Sequence, residues 1–138
     1  MKTGSIGGAN DLPDANFLIG GVIEVRPESR HLLAWVEAGE TFCTAAPAWY
    51  EFLCGPVSPS QVNTMLAFLT DGIIAFEESQ AQTAARLFNA VQRSRRLRVD
   101  AMIAATAITQ RARLATLHTE DFKLFAPHGL ELATPLEL

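Results

Sequence analysis

Apolar positions follow a helical period over most of the chain and an extended period in a few short segments. The clearest helical segment places Ala81, Ala84, Phe88 and Val91 on one face. Helices are predicted within residues 17–23, 27–39, 46–54, 58–69, 81–91 and 100–110, and strands at 41–44, 73–76, 114–117 and 130–133. Short strands between helices favour an α/β fold, with a mostly parallel central sheet of about five strands and helices on both faces.

The start of the chain differs in composition from the rest. Residues 1–11 are rich in glycine and small polar side chains, so we expect a loose lead-in there and one domain over residues 12–138. Pro13 has no backbone N–H to donate to a sheet. A strand that ends just before Asp14 is therefore expected to be short, displaced or irregular.

The composition is that of a globular protein, since 49% of the 138 residues are hydrophobic and 19% are charged. No apolar run approaches the roughly 20 residues that a membrane span needs, and residues 1–10 lack the apolar stretch of a secretory signal. Cys43 and Cys54 lie in apolar sequence, so we interpret them as reduced core residues of a cytoplasmic protein. The net charge of −4 argues weakly against binding nucleic acid through charge alone.

Three carboxylates are isolated within apolar sequence. Glu51 is the only charged residue between Glu40 and Asp71, and Asp14 and Asp100 each precede a long uncharged stretch. Burying an unpaired, ionised carboxylate is costly unless the group takes up a proton or gains a partner. A hard divalent cation shared by the three acids would supply that partner, because such ions prefer carboxylate oxygens.

Each acid also has a structural alternative. Aspartate is among the best helix-capping residues, so Asp14 and Asp100 can be explained as caps. Glu51 lies in the middle of a predicted helix, where it has no capping role, and it can instead point to solvent from a wet edge of that helix. The three acids together are more specific than any one of them, because ligand sites in parallel sheets gather at the carboxyl ends of the strands.

The three acids also lie in segments whose order and spacing match a known family. The segments are Asp14-Ala15-Asn16-Phe17-Leu18-Ile19, residues 48–55 around Glu51, residues 98–107 around Asp100, residues 114–122, and the closing residues 129–132. They resemble the successive motifs of the PIN-domain family, in particular its VapC-type ribonuclease toxins. The resemblance implies a sandwiched parallel sheet and three or four acids that bind Mg²⁺ or Mn²⁺. It also implies that the protein is a toxin that hydrolyses RNA and is bound by a small antitoxin. Such toxins are commonly homodimers.

The resemblance assigns roles to individual residues. Asp14, Glu51 and Asp100 would hold the cation, directly or through water, and Asp121 would complete the catalytic set, with Glu120 as the alternative fourth acid. His118 stands where the family often has an acid. Supporting hydrogen bonds to the acids are expected from Asn16 and Thr116, although Thr116 is equally well explained as an ordinary strand residue.

Arginines surround the third motif. Arg93, Arg96 and Arg98 precede Asp100 and are candidates for binding the RNA phosphates, and further arginines follow the helix at positions 111 and 113. The structural alternative is a solvated helix end.

Two other classes of protein compete with the nuclease. A phospho-acceptor signalling domain also clusters aspartates in a small α/β fold, but it expects an acceptor Asp after the third strand, where this chain has Glu77-Glu78. A PIN-like binding module that has lost catalysis would explain Pro13 and His118. A Mn²⁺ titration separates this module from the nuclease, because only an intact acid cluster binds the ion.

Overall fold

A computed structural model describes residues 10–23 and 26–133, and it confirms the predicted α/β fold. The strands are β1 (Asn10–Pro13), β2 (Thr41–Phe42), β3 (Thr44–Ala45), β4 (Ile73–Ile74) and β5 (Arg113–Ala115). The helices are α1 (Ala15–Gly21), α2 (Pro27–Glu37), α3 (Ala46–Cys54), α4 (Pro59–Phe68), α5 (Glu78–Ala90), α6 (Arg98–Gln110) and α7 (Thr119–Phe122), with 3₁₀ segments at Arg95–Leu97 and Lys123–His128.

The strands pair in parallel, as predicted, but the described strands form two small sheets rather than one of five. One sheet has the order β2-β1-β5 and the other pairs β3 with β4. The predicted strand at 130–133 is present only as a single parallel bridge, from Leu132 to Leu114 of β5. The connections β1 to β2 and β4 to β5 cross the sheets in opposite directions. Helix α1 packs on α2, and α5 packs on α6.

Pro13 lies beside the break between the two sheets. It ends β1, the central strand, which is only four residues long, as expected for a strand that contains proline. On the side that faces β2 and β3, the Asp11 carbonyl accepts from the Cys43 N–H at 3.0 Å. The Pro13 carbonyl instead accepts from the Thr44 hydroxyl at 2.8 Å. The Thr44 hydroxyl thus supplies the donor that a backbone N–H gives in a regular ladder, while the Thr44 N–H donates to the Gly72 carbonyl.

Two further predictions need correction: the extent of the loose lead-in and the burial of the two cysteines. Residues 1–9 of the expected lead-in lie outside the described residues, but Asn10 and Asp11 belong to β1 and are not loose. Cys43 is buried, whereas Cys54 is exposed, so only the first is a core thiol.

The predicted starts of α2 and α3 are confirmed, whereas α1, α5 and α6 begin two or three residues earlier than predicted. Pro27 and Pro47 lie in the first turns of α2 and α3. Ser58 caps α4 in a capping box, in which its hydroxyl accepts from the Gln61 N–H at 3.1 Å.

The core lies where α5 and α6 pack on the sheet. Helix α6 is buried along most of its length, as predicted, and four of its buried residues are alanines: Ala101, Ala104, Ala105 and Ala107. Small side chains let helix α5 approach closely, with its buried Ala84 and Leu87. This packing holds α6, whose first turn carries Asp100, against β3 and β5.

Candidate active site

Asp14 lies at the junction of two parallel strands. It follows β1 directly, and its backbone N–H donates to the Ala115 carbonyl of β5 at 3.0 Å. Its Oδ1 accepts from the Phe17 N–H at 2.9 Å, which caps α1. Its Oδ2 accepts from the Thr116 hydroxyl at 2.6 Å. The capping role considered for Asp14 is therefore confirmed. Capping uses Oδ1, and Oδ2 is held by Thr116 at the end of β5.

Burial dominates the ionisation of Asp14. Its side chain is only 4% exposed, and this desolvation raises the pKa of the carboxyl group above its ordinary value. The hydrogen bonds from Thr116 and Phe17 and the charge of His118 lower the pKa, and the nearby Glu28 carboxylate raises it. The site therefore holds a carboxylate that would gain from a neighbouring cation.

Glu51 projects from α3, which begins directly after β3. The residue is exposed at the mouth of a cavity of about 390 Å³ that Pro47, Tyr50 and Met102 also line. The predicted wet edge of this helix is therefore present. The surrounding apolar groups still raise the pKa of Glu51, and the Asp14 charge adds to the effect. Glu51 is thus exposed to solvent and is close enough to Asp14 for that charge to affect its pKa.

Asp100 lies in the first turn of α6, but it does not cap the helix. The N-cap position is Leu97, with no side-chain capping bond, so the capping explanation for Asp100 is wrong. Burial, together with the charges of Asp121, Asp14 and Glu51, raises the pKa of Asp100 to about 6. Arg96 acts in the opposite direction. The acids that the sequence singled out therefore act on one another electrostatically.

The residues after β5 separate into different environments. The His118 N–H donates to the Thr116 hydroxyl at 2.9 Å, and His118 sits at the N-cap of α7 without a side-chain capping bond. Asp121 is not a cap either, because it lies inside α7 and pairs with Arg96 at 2.5 Å. Glu120 is exposed and pairs with Lys123 at 3.6 Å. Asp121 is thus the acid of this segment that reaches the Asp100 environment.

The arginines divide in the same way. The guanidinium groups of Arg93 and Arg98 lie over the Phe88 ring, 5.4 and 5.5 Å from its centre, and Arg93 also donates to Asn89 at 2.6 Å. Arg96 alone of the three predicted phosphate-binding arginines is shown paired with a carboxylate beside Asp100.

A buried ionic cluster lies at the other end of the strands, and the sequence did not reveal it. Arg113 donates to Asp11 at 3.0 Å and to Glu40 at 2.6 Å. Its suggested role as a phosphate guide is therefore wrong. Asp11 is completely buried, and desolvation together with the contact to Glu40 raises its pKa to about 8. The pairing of Asp11 with Arg113 spans 102 residues, so no local pattern could have predicted it.

The supporting residues differ in what they contact. Thr116 holds Asp14 by the hydrogen bond predicted for it, so it is more than an ordinary strand residue. Asn16 is exposed in the first turn of α1, and its expected role in orienting the acids stays a prediction.

The donor chemistry fits a hard divalent cation. Among residues 10–23 and 26–133, no three His, Cys, Asp or Glu side chains form a ready-made metal cluster. Burial nevertheless raises the pKa of each of Asp14, Glu51 and Asp100. Neighbouring carboxylates raise the pKa values of Glu51 and Asp100 further. A cation would relieve both effects, and carboxylate oxygens are the ligands that Mg²⁺ and Mn²⁺ prefer.

The PIN domain family model matches residues 12–126. The chain therefore belongs to the PIN domain family, which confirms the resemblance seen in the sequence. This result excludes the phospho-acceptor signalling domain. No match was found among curated proteins.

Solved structures with the same fold include several toxin–antitoxin complexes. VapBC2 from Rickettsia felis, bound to a DNA fragment from its promoter, has a TM-score of 0.72 at 19% identity, over 90% of this chain and 97% of that one. A toxin–antitoxin complex from Klebsiella pneumoniae has a TM-score of 0.67 at 26% identity, over 93% and 99% of the two chains. FitAcB from Neisseria gonorrhoeae has a TM-score of 0.68 at 18% identity, with coverage of 93% and 99%. Within the described part of the chain, no helix is long and apolar enough to cross a membrane.

Proposed function

We propose that this chain is the toxin of a bacterial toxin–antitoxin pair, and that it is a cytoplasmic endoribonuclease dependent on Mg²⁺ or Mn²⁺. Asp14, Glu51 and Asp100 would hold the cation, directly or through water. Such a cation would supply Lewis-acid chemistry at this site, which activates water and offsets the charge of the phosphate. Asp121 and His118 flank this set.

One observation carries the proposal. In a PIN fold, Asp14 follows the carboxyl end of β1, Glu51 lies on the helix that begins at the carboxyl end of β3, and the charges of both raise the pKa of Asp100 on α6. Ligand sites in parallel sheets gather at this edge. A purely structural role gives no reason to assemble like charges there, because the fold loses stability from their repulsion.

The chain's own residues prepare this edge. Thr116 and the Phe17 N–H fix both oxygens of Asp14, so the carboxylate keeps one orientation. Helix α6 presents the half-buried Asp100 directly before Ala101, where the buried part of the helix begins. Glu51, which is exposed, has the freedom to adjust when an ion and substrate arrive.

The test is cleavage of single-stranded RNA by the purified chain with Mg²⁺ or Mn²⁺. Asp14→Asn and Asp100→Asn should each reduce the rate by about a hundredfold or more, as expected for loss of a group that stabilises transition-state charge. Glu37→Gln removes an exposed carboxylate of α2 and is the matched control. Full activity of both aspartate variants would contradict the proposal.

A PIN-like binding module without catalysis is the second candidate, and two observations favour it. His118 occupies the position of a frequent family acid, and no ready-made metal cluster is present among the described residues. A Mn²⁺ titration followed by calorimetry separates the two. Binding that disappears in Asp100→Asn supports the nuclease, and absence of binding by the parent chain supports the module.

An apolar groove is our candidate for the antitoxin contact. It has a volume of about 570 Å³, borders α2 and α4, and includes Val36, Phe42, Ala67 and Phe68. We assign it to an apolar segment of the antitoxin, since structures with this fold include toxin–antitoxin complexes. Val36→Asp should weaken antitoxin binding at least tenfold. Leu124→Asp is the control, because the two side chains are 44% and 46% exposed and Leu124 does not line the groove.

We also propose that the toxin is a homodimer. Tyr50, Leu53 and Val99 are exposed apolar side chains on α3 and α6, beside Glu51. A second copy that covered this surface would place two acid clusters near each other. Light scattering should give twice the monomer mass for the parent chain and the monomer mass for Tyr50→Asp; a monomeric parent would contradict the proposal.

A further inference from the structure

An ion pair joins the segment before Asp100 to the helix after β5. The guanidinium group of Arg96 donates to Oδ1 of Asp121 at 2.5 Å. The two residues are 25 positions apart, so the contact ties the 3₁₀ segment Arg95–Leu97 to α7. Their side chains are 62% and 39% exposed, so both charges are open to a ligand from solvent.

This ion pair lies at the edge of the acid cluster, because Arg96 is four residues before Asp100 and α7, which carries Asp121, contacts α6. Among the charges that act on Asp100, Asp121 has the largest effect and raises its pKa, whereas Arg96 lowers it. The two charges of the pair therefore act on Asp100 in opposite directions. Removing either partner leaves the other uncompensated beside the proposed metal ligands.

Arg96 differs in its contacts from the arginines near it. Arg93 and Arg98 are held over the Phe88 ring, and Arg93 is also bonded to Asn89. If Arg93 or Arg98 bound a phosphate instead, it would lose its contact with the Phe88 ring. The recorded partner of Arg96 is a carboxylate, and a phosphate accepts from the same planar set of guanidinium donors.

The chemistry of the pair makes such an exchange easy. Exposed ion pairs contribute little to stability, because water screens both charges. A phosphodiester that enters the acid cluster needs a cation near it, since the acids themselves repel it. Arg96 is already placed there, on a segment that leads directly into α6.

We propose that Arg96 changes partner when RNA binds: it holds Asp121 in the free protein and takes a phosphodiester oxygen of the substrate, which releases the Asp121 carboxylate to the acid cluster. This inference rests on the proposed function, which it deepens by naming a substrate-positioning residue. In the free protein the Arg96 charge opposes a cation at the cluster. In the RNA complex the phosphate neutralises the Arg96 charge, and the freed Asp121 carboxylate adds to the attraction for the cation.

The first measurement is RNA binding without cleavage. Fluorescein-labelled single-stranded RNA is titrated by anisotropy in EDTA at several salt concentrations, with the full chain. Arg96→Gln should weaken binding about tenfold and lower the salt slope by about 0.7, the contribution of one phosphate contact to a single strand. Asp121→Asn should tighten binding, because Arg96 is free from the start. Arg86→Gln, an exposed arginine of α5, is the matched control and should change little.

The double variant separates exchange from general charge effects. If Asp121→Asn acts by freeing Arg96, its tightening of RNA binding should disappear in the Arg96→Gln background. If it acts only by removing a negative charge, the tightening persists, and the exchange is wrong.

The second measurement is Mn²⁺ binding without RNA, followed by calorimetry. Arg96→Gln should tighten Mn²⁺ binding several-fold and Asp121→Asn should weaken it, which is the reverse of their effects on RNA. An ion pair with a structural role alone predicts that both variants lower the melting temperature by similar amounts and shift RNA and Mn²⁺ binding in the same direction. That outcome overturns the exchange.

The outcomes also distinguish this inference from the proposed function. If Asp14→Asn and Asp100→Asn abolish cleavage but Arg96→Gln leaves RNA binding unchanged, the exchange is wrong and the nuclease stands. If the parent chain binds no RNA in EDTA at low salt, the exchange is overturned. If it binds RNA but these aspartates do not matter for cleavage, the proposed function fails, and the exchange fails with it.

Discussion

The Thr116 hydroxyl donates a 2.6 Å hydrogen bond to Oδ2 of Asp14, across the ends of two neighbouring parallel strands. The same hydroxyl oxygen accepts from the His118 N–H at 2.9 Å. Thr116 therefore joins the buried carboxylate of β1 to the segment that leads into α7. It positions Asp14 and the start of the loop together, without any need to contact a metal ion itself.

Thr116→Val should destabilise the protein by about 1–3 kcal/mol, because it removes the donor to a buried carboxylate and the acceptor for a backbone N–H. The loss also raises the pKa of Asp14 further, since the Thr116 bond lowers it. Urea unfolding at pH 7 measures the change. Thr116→Ser keeps the hydroxyl and should lose clearly less; equal losses in both variants would show that the methyl packing matters and the hydrogen bond does not.

Glu51→Gln should leave the metal-free protein as stable as the parent, or more stable. The Asp14 charge raises the pKa of Glu51, so the neutral side chain removes a repulsion. The same variant should bind Mn²⁺ more weakly. Melting in EDTA and a Mn²⁺ titration are the two measurements, with Glu37→Gln as the control. A clear loss of stability in EDTA would mean that Glu51 has a structural partner.

The stability of the metal-free protein should fall as pH rises from about 4 to about 8. The folded-state pKa of Asp11 is about 8, against an ordinary value of 3.8. The folded protein therefore keeps a proton that the unfolded chain releases, and its stabilising effect is complete below the unfolded pKa and lost as pH rises through the folded one. One such proton gives a slope of at most about 1.4 kcal/mol per pH unit.

Asp11→Asn isolates this effect from the other raised carboxyl groups. The amide side chain of the variant carries no proton that can be lost, so the stability difference between variant and parent should move in favour of the variant between pH 5 and pH 8. Urea unfolding in EDTA at several pH values in this range gives the difference. If the stability difference is the same at every pH, Asp11 titrates equally in the folded and unfolded chains. The cluster of Asp11 with Glu40 and Arg113 then does not cause the pH dependence of stability.

The sequence predicted what local signals determine. Ala46–Cys54 was predicted with both ends correct, because Pro47 favours the first turn and Gly55 follows the last one. The strand predicted at 130–133 is reduced to one parallel bridge to Leu114, because the extent of pairing depends on the neighbouring strand and not on the local alternation of residues. Three candidate acids could be named because each is isolated in apolar sequence. The pairings of Arg96 with Asp121 and of Arg113 with Asp11 span 25 and 102 residues, and only the folded chain brings them together.

The last prediction concerns the fourth position of the acid set. His118, Glu120 and Asp121 should contribute unequally, because they contact different groups. Glu120 is exposed and pairs with Lys123, so Glu120→Ala should change the rate of RNA cleavage least. His118 acts on Asp14 through its charge, and its backbone N–H bond to Thr116 survives substitution, so His118→Ala should have a small effect.

Asp121→Ala should reduce cleavage most of the three, because Asp121 is the largest charge influence on Asp100. Its effect should still be smaller than that of Asp14→Asn, since Asp14 is buried at the strand junction with both oxygens fixed, whereas Asp121 is partly exposed and bound to Arg96. Single-turnover cleavage at saturating Mn²⁺ gives the four rates under one condition. Equal losses in Asp121→Ala and Asp14→Asn would make Asp121 a full fourth member of the site, and a larger loss in Glu120→Ala than in Asp121→Ala would contradict the assignment of this segment.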